Sequence, residues 1–146
     1  MKKGILILTV LCMMLIGCQS DHDAYDVDGF SAVKEYVDTI IPLIDKALDS
    51  MEETDVQEIT KTNEQLFIFG EGTKYDKAEM ANWTIELGLE EGEWVIEGEE
   101  LFEQLMAVYQ TTNAFINEFE EQSKVSEETV KALQQERTAL AEMFRQ

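Results

Sequence analysis

The side chains able to do covalent or acid–base chemistry in this chain are few in kind: two thiols, Cys12 and Cys18, one imidazole, His22, and 31 carboxylates among 146 residues. A nucleophile–histidine–acid triad needs a positioned imidazole and a multi-histidine zinc site needs several, so His22, alone in an acidic stretch, assembles neither within the chain. The carboxylates could supply an acid and a base, but no spacing marks any two as convergent, and most read as a solvated face. The expectation is a chain with no catalytic residues and no bound cofactor.

One run has the spacing of a metal site. In Ala24 to Glu35, AYDVDGFSAVKE, residues Asp26, Asp28, Gly29 and Glu35 fall at the third, fifth, sixth and twelfth positions of a calcium loop. Calcium takes six to eight hard oxygens, a glycine makes the sharp turn, and the last carboxylate binds through two oxygens. Ala24 stands at the first ligand position, however, and Ser31 where an apolar residue packs. The expectation is therefore an acidic tether that ends in an N-cap at Asp28 or Ser31, with no metal held by Asp26, Asp28 or Glu35. For binding by contact, the candidates are Trp83, Trp94 and Tyr109, large amphipathic rings of the kind that anchor protein interfaces; core packing is the competing role for each.

The thiol at Cys18 has a more specific setting. Lys2 and Lys3 form a basic start, Gly4 to Ile16 an apolar run, and Leu15-Ile16-Gly17-Cys18 puts a small residue just before a cysteine. The run is shorter than the roughly 20 apolar residues that a spanning helix needs. Leu11 before Cys12 is too large for the same processing. The segment resembles the lipobox signal of bacterial lipoproteins. That resemblance implies a signal peptide over residues 1–17, cleavage before Cys18, and a covalent diacylglycerol and fatty acyl group such as palmitate on Cys18. It implies attachment to the cell membrane on its extracytoplasmic face, or to an outer membrane in a cell that has two.

Removing residues 1–17 deletes Lys2 and Lys3 and no acid, leaving nine basic against 31 acidic residues, a formal charge of −22. Such a surface repels phosphates, so no nucleic-acid partner is expected. A basic envelope or extracytoplasmic protein is the partner it favours. With Cys18 acylated no thiol is left for an intramolecular disulfide, so packing must hold the domain.

Residues 18–29 read as the lipidated cysteine and tether, about 18 Å root-mean-square in span, and residues 30–146 as one domain. Phe30, Val33, Val37, Ile40, Ile44, Leu48 and Met51 recur at helical steps, with Pro42 expected to kink the helix. Thr54 reads as the next N-cap, and Val56, Ile59, Leu66 and Phe69 continue a second helical piece that Gly70-Glu71-Gly72 ends. Over 76–98 two periods fit. Trp83, Ile85, Leu87 and Leu89, then Trp94 and Ile96, alternate as a β-hairpin does. Met80, Trp83, Leu87, Trp94, Leu101, Leu105, Val108, Tyr109, Ile116 and Phe119 also share one helical sector, in phase with a helix at 99–122.

That continuity predicts an all-α fold, a small antiparallel helical bundle with Phe30–Phe69 packed on Asp76–Gln122. The alternative is an α+β ligand-binding domain with a hairpin at 83–98, to which Phe67-Ile68-Phe69 could add a strand. The last helix has Ser126 as N-cap, Val125 and Val130 as a staple, and Val130, Leu133, Leu140 and Phe144 inward. The functional expectation is a membrane-anchored, non-catalytic binding or accessory module, with a small α+β ligand-binding domain or a calcium-responsive envelope protein, through Asp26, Asp28 and Glu35, as the alternatives.

Overall fold

A computed structural model describes residues 27–50, 52–68, 75–89 and 92–145, and the fold they form is mostly helical. Residues 1–26, with Cys18 and Asp26, lie outside the described residues. The first helix, α1 (Val27–Asp49), buries Val33, Tyr36, Val37, Ile40, Ile41, Ile44 and Ala47 along one face, as its periodicity predicts. It begins three residues earlier than expected, so Asp28 and Ser31 lie within its first turns and neither caps it. The helical course from Val27 onward also replaces the loop that the calcium spacing would require. Pro42 stands inside α1, which continues through it. Pro42 and Asp38 are both on the exposed side of the helix.

The second helix, α2 (Glu53–Glu64), starts one turn from the end of α1. Its cap is Glu52, not Thr54: the Glu52 N–H donates to Asp55 Oδ2 at 3.0 Å, and Thr54 falls inside the first turn. A 3₁₀ turn over Gln65–Ile68 prolongs the helix, so Phe67 and Ile68 do not form the additional strand; Phe69 lies outside the described residues. A polar chain through the interior ties three elements together. The Tyr36 hydroxyl donates to Asn63 Oδ1 at 3.1 Å, and Asn63 Nδ2 donates to Thr112 Oγ1 at 2.6 Å. Each of these side chains is buried, so each hydrogen bond also avoids the penalty of an unmet polar group.

The continuous helix expected over 76–98 is not formed. After a single turn, α3 (Lys77–Met80), capped by the Asp76 carboxylate accepting from the Glu79 N–H, the chain makes an antiparallel hairpin of β1 (Thr84–Leu89) and β2 (Gly92–Glu97). Its register pairs Ile85 with Ile96 and Leu87 with Trp94 on the inner face, and Glu86 with Val95 on the outer. Two facts reconcile the sequence with this outcome. Residues four apart share a face in a strand as well as in a helix, so the in-phase set Trp83, Leu87 and its successors does not discriminate. Gly88 and Gly92 would each weaken a helix by ~1 kcal/mol relative to Ala, whereas the hairpin tolerates them. Two strands alone are marginal in water; here Ile85 and Ile96 are buried in the same core as the helices.

The hairpin feeds directly into α4 (Gly98–Gln122), which with α5 (Glu127–Phe144) makes an antiparallel pair. At one end Gln104 Nε2 donates to the Glu136 carbonyl at 3.1 Å; at the other the Glu118 carboxylate accepts from the Ser126 N–H at 2.8 Å and from Thr129 Oγ1 at 2.6 Å. Ser126 caps α5 as expected, its hydroxyl accepting from the Thr129 N–H. Leu133, Leu140 and Phe144 are buried, with Val125 and Val130 packed at the margin of the core. The junction between β2 and α4 needs a glycine. The Gly98 N–H donates to the Trp83 carbonyl at 2.9 Å, and a Cβ at Gly98 would stand 1.8 Å from the Met80 carbonyl oxygen.

Candidate partner-binding site

The three aromatic candidates end in three environments. Trp83 precedes β1 and is 8% exposed; its ring meets Tyr75 edge-on, centroids 5.7 Å apart, and packs over Gly29 of α1. It is a core residue that closes the hairpin end of the domain. Tyr109 lies half-buried on α4, facing the side of the molecule where the Tyr36 phenol is sunk. Burial, and then the neighbouring Tyr109 phenol, push the Tyr36 phenol far above its ordinary range, so it acts as a neutral hydrogen-bond donor.

Trp94, like Tyr109, keeps part of its surface accessible. It is half-buried on β2, and its Nε1–H donates to the Met143 carbonyl at 2.8 Å, fixing the hairpin to the C-terminal end of α5. The Arg145 guanidinium lies 3.9 Å from the ring centroid. Next to it in sequence, Val95 points to the other face and is 46% exposed, a large apolar side chain on the outside of the hairpin. Thus the structure does not stack Trp83 and Trp94 along one helix face: the strand pairing sends them to separate neighbourhoods.

The electrostatics is built from acids held by the few bases present. Arg137 on α5 makes a two-pronged pair with Asp45 on α1, Nε to Oδ1 at 2.8 Å and Nη2 to Oδ2 at 2.6 Å. Lys77 reaches Glu103 at 2.7 Å and Glu99 at 3.2 Å, joining α3 to α4. Asp55 is wholly buried, and the Lys46 ammonium from α1 closes over its Oδ1. That ammonium, more than the Glu52 N–H, holds the Asp55 carboxyl below its usual range, against the opposing effect of burial; Lys46 is raised in turn. The Ser126 backbone N–H, with the Thr129 hydroxyl, likewise lowers Glu118.

Among the described residues, one surface depression is lined by Val125, Glu127, Glu128, Val130 and Lys131, and another lies along the Asp45–Arg137 pair. Among the described residues, no three His, Cys, Asp or Glu side chains converge in a way that could hold a metal ion, and no helix is long and apolar enough to cross a membrane. Glu35 is an exposed residue of α1. The residue that sequence reasoning missed is Arg145. Nothing in its neighbourhood, Glu142-Met143-Phe144-Arg145, signals a ring 51 positions earlier, because the contact exists only once the hairpin has folded onto α5. No family model, curated protein or solved structure matches the chain.

Proposed function

We propose that the chain is a lipid-anchored, extracytoplasmic protein whose acidic domain binds a partner in the cell envelope and performs no catalysis. The observation that carries the reading is Leu15-Ile16-Gly17-Cys18, followed after only eight residues, Gln19 to Asp26, by a packed domain. A diacylated cysteine gives the firm attachment that one chain does not, so no basic second signal is needed. The antiparallel pair α4 and α5, with α1 packed on α5 and α2 on α4, supports describing the domain as a small helical bundle carrying one hairpin.

The charge of −20 over the whole chain supports a partner with a basic patch, since opposite charge steers encounter while a few desolvated residues give affinity. The test is crosslinking in intact cells through a photoreactive residue at Val95, with mass spectrometry of the products. The expected result is one reproducible envelope protein, whose yield falls as salt shortens the Debye length below ~8 Å. No reproducible partner, together with turnover of an envelope substrate by the purified protein, contradicts the reading and makes the chain an enzyme.

A further inference from the structure

We propose that the outer face of the Trp94 ring is a seat for a cationic side chain, Arg or Lys, of the protein partner, and that Arg145 fills this seat in the unbound protein. The inference rests on the binding-module reading and supplies the chemistry of the contact. Trp is the ring with the strongest attraction for a cation, and 3.9 Å from guanidinium carbon to centroid is well inside the ~6 Å reach of that attraction. The seat does not depend on its present occupant. The hydrogen bond from Nε1 to the Met143 carbonyl and the strand pairing with Leu87 hold the ring in place.

Arg145 sits at the end of α5. It is exposed, it caps the C-terminal end of α5, and its backbone is left-handed at φ 50°, a conformation that costs a residue with a Cβ more than it costs glycine. Its N–H donates both to the Ala141 carbonyl and to the Glu142 carbonyl, the latter at 3.0 Å, at the helix end where such pairing frays. The chain has only two arginines. Arg137 is locked to Asp45 by two hydrogen bonds, and Arg145 covers an aromatic face. An incoming cation that displaces Arg145 finds the same ring in the same place.

The experiment follows the two indole N–H resonances of the full-length, lipid-bearing protein in detergent micelles during titration with an acetylated tri-arginine amide. The expected result is a saturable shift of the Trp94 resonance with the Trp83 resonance unmoved. Arg145→Ala, which removes the competitor, tightens binding about two- to fivefold, the worth of one exposed cation–π contact. Arg145→Lys keeps the original affinity, and so does Lys131→Ala, which removes a positive charge elsewhere. Trp94→Leu abolishes the site, with an unchanged Trp83 resonance and helical circular dichroism showing that the variant is folded. An unmoved Trp94 resonance, or no tightening in Arg145→Ala, overturns the proposal. Undiminished binding of the peptide to folded Trp94→Leu, read by calorimetry because that variant lacks the Trp94 resonance, also overturns it, because cations then gather elsewhere on the acidic surface. That last outcome leaves the binding-module reading standing, whereas a working seat with no partner found in cells would leave the seat and remove the reading.

Discussion

Single residues set the tightest constraints in this molecule. Gly98 is one: the Met80 carbonyl occupies the space of any Cβ there, and a backbone oxygen held in the turn after α3 has little freedom to retreat. Gly98→Ala should destabilise the fold by about 3 kcal/mol in urea denaturation, at the upper end of overpacking effects. Asp55 is another. Its carboxyl is depressed below the ordinary 3.8, chiefly by Lys46, so its contribution to stability is complete above that value and disappears as pH falls through the lower, folded-state value. Lys46, raised above 10.5, gives a contribution complete below that value and lost only at higher pH. The stability difference between the wild type and Asp55→Asn should therefore be clear at pH 7 and shrink steadily below pH 3.8, a comparison that cancels the titration of the other acids. A difference that stays constant to pH 2 would mean that Lys46 does not hold Asp55. Neither role was legible in the sequence. Asp55 reads there as one acid among many in a first turn, and only the folded chain puts an ammonium over it.

Elements were legible to the degree that their pattern was unambiguous. The faces of α1, α4 and α5 follow from apolar residues at three- and four-residue steps, and the Ser126 cap follows from a hydroxyl placed before two acids. Ser126→Ala should lower stability by ~1 kcal/mol, measured by urea denaturation, since it leaves the Thr129 N–H without its acceptor and frees Glu118 from one of its partners. The sequence pattern leaves helix and hairpin both open over 83–98 because the helical and strand periods coincide at four-residue spacing, and because the hairpin's stability comes from contacts distant in sequence. Ile85 and Ile96 are buried against helices, and Trp94 is tied to Met143. Met80, Gly98 and Trp83 meet so closely that the chain must turn where a continuous helix was expected.

At the scale of the whole molecule, the N-terminal pattern speaks to where the protein works and the domain to how. A lipid at Cys18, eight residues before the first described helix, would keep the domain close to a membrane surface, and the formal charge of −22 of a chain cleaved before Cys18 would keep its acidic faces from lying on anionic headgroups and turn them outward to a partner. The most direct measurement is mass spectrometry of the N-terminal peptide of the protein isolated from its own membranes. The account predicts a mature chain that begins at Cys18, carries a diacylglycerol and a fatty acyl group there, and is replaced in Cys18→Ala by an unlipidated chain released from the membrane fraction. A chain that retains residues 1–17, or one that begins at Cys18 with a free thiol, would contradict it.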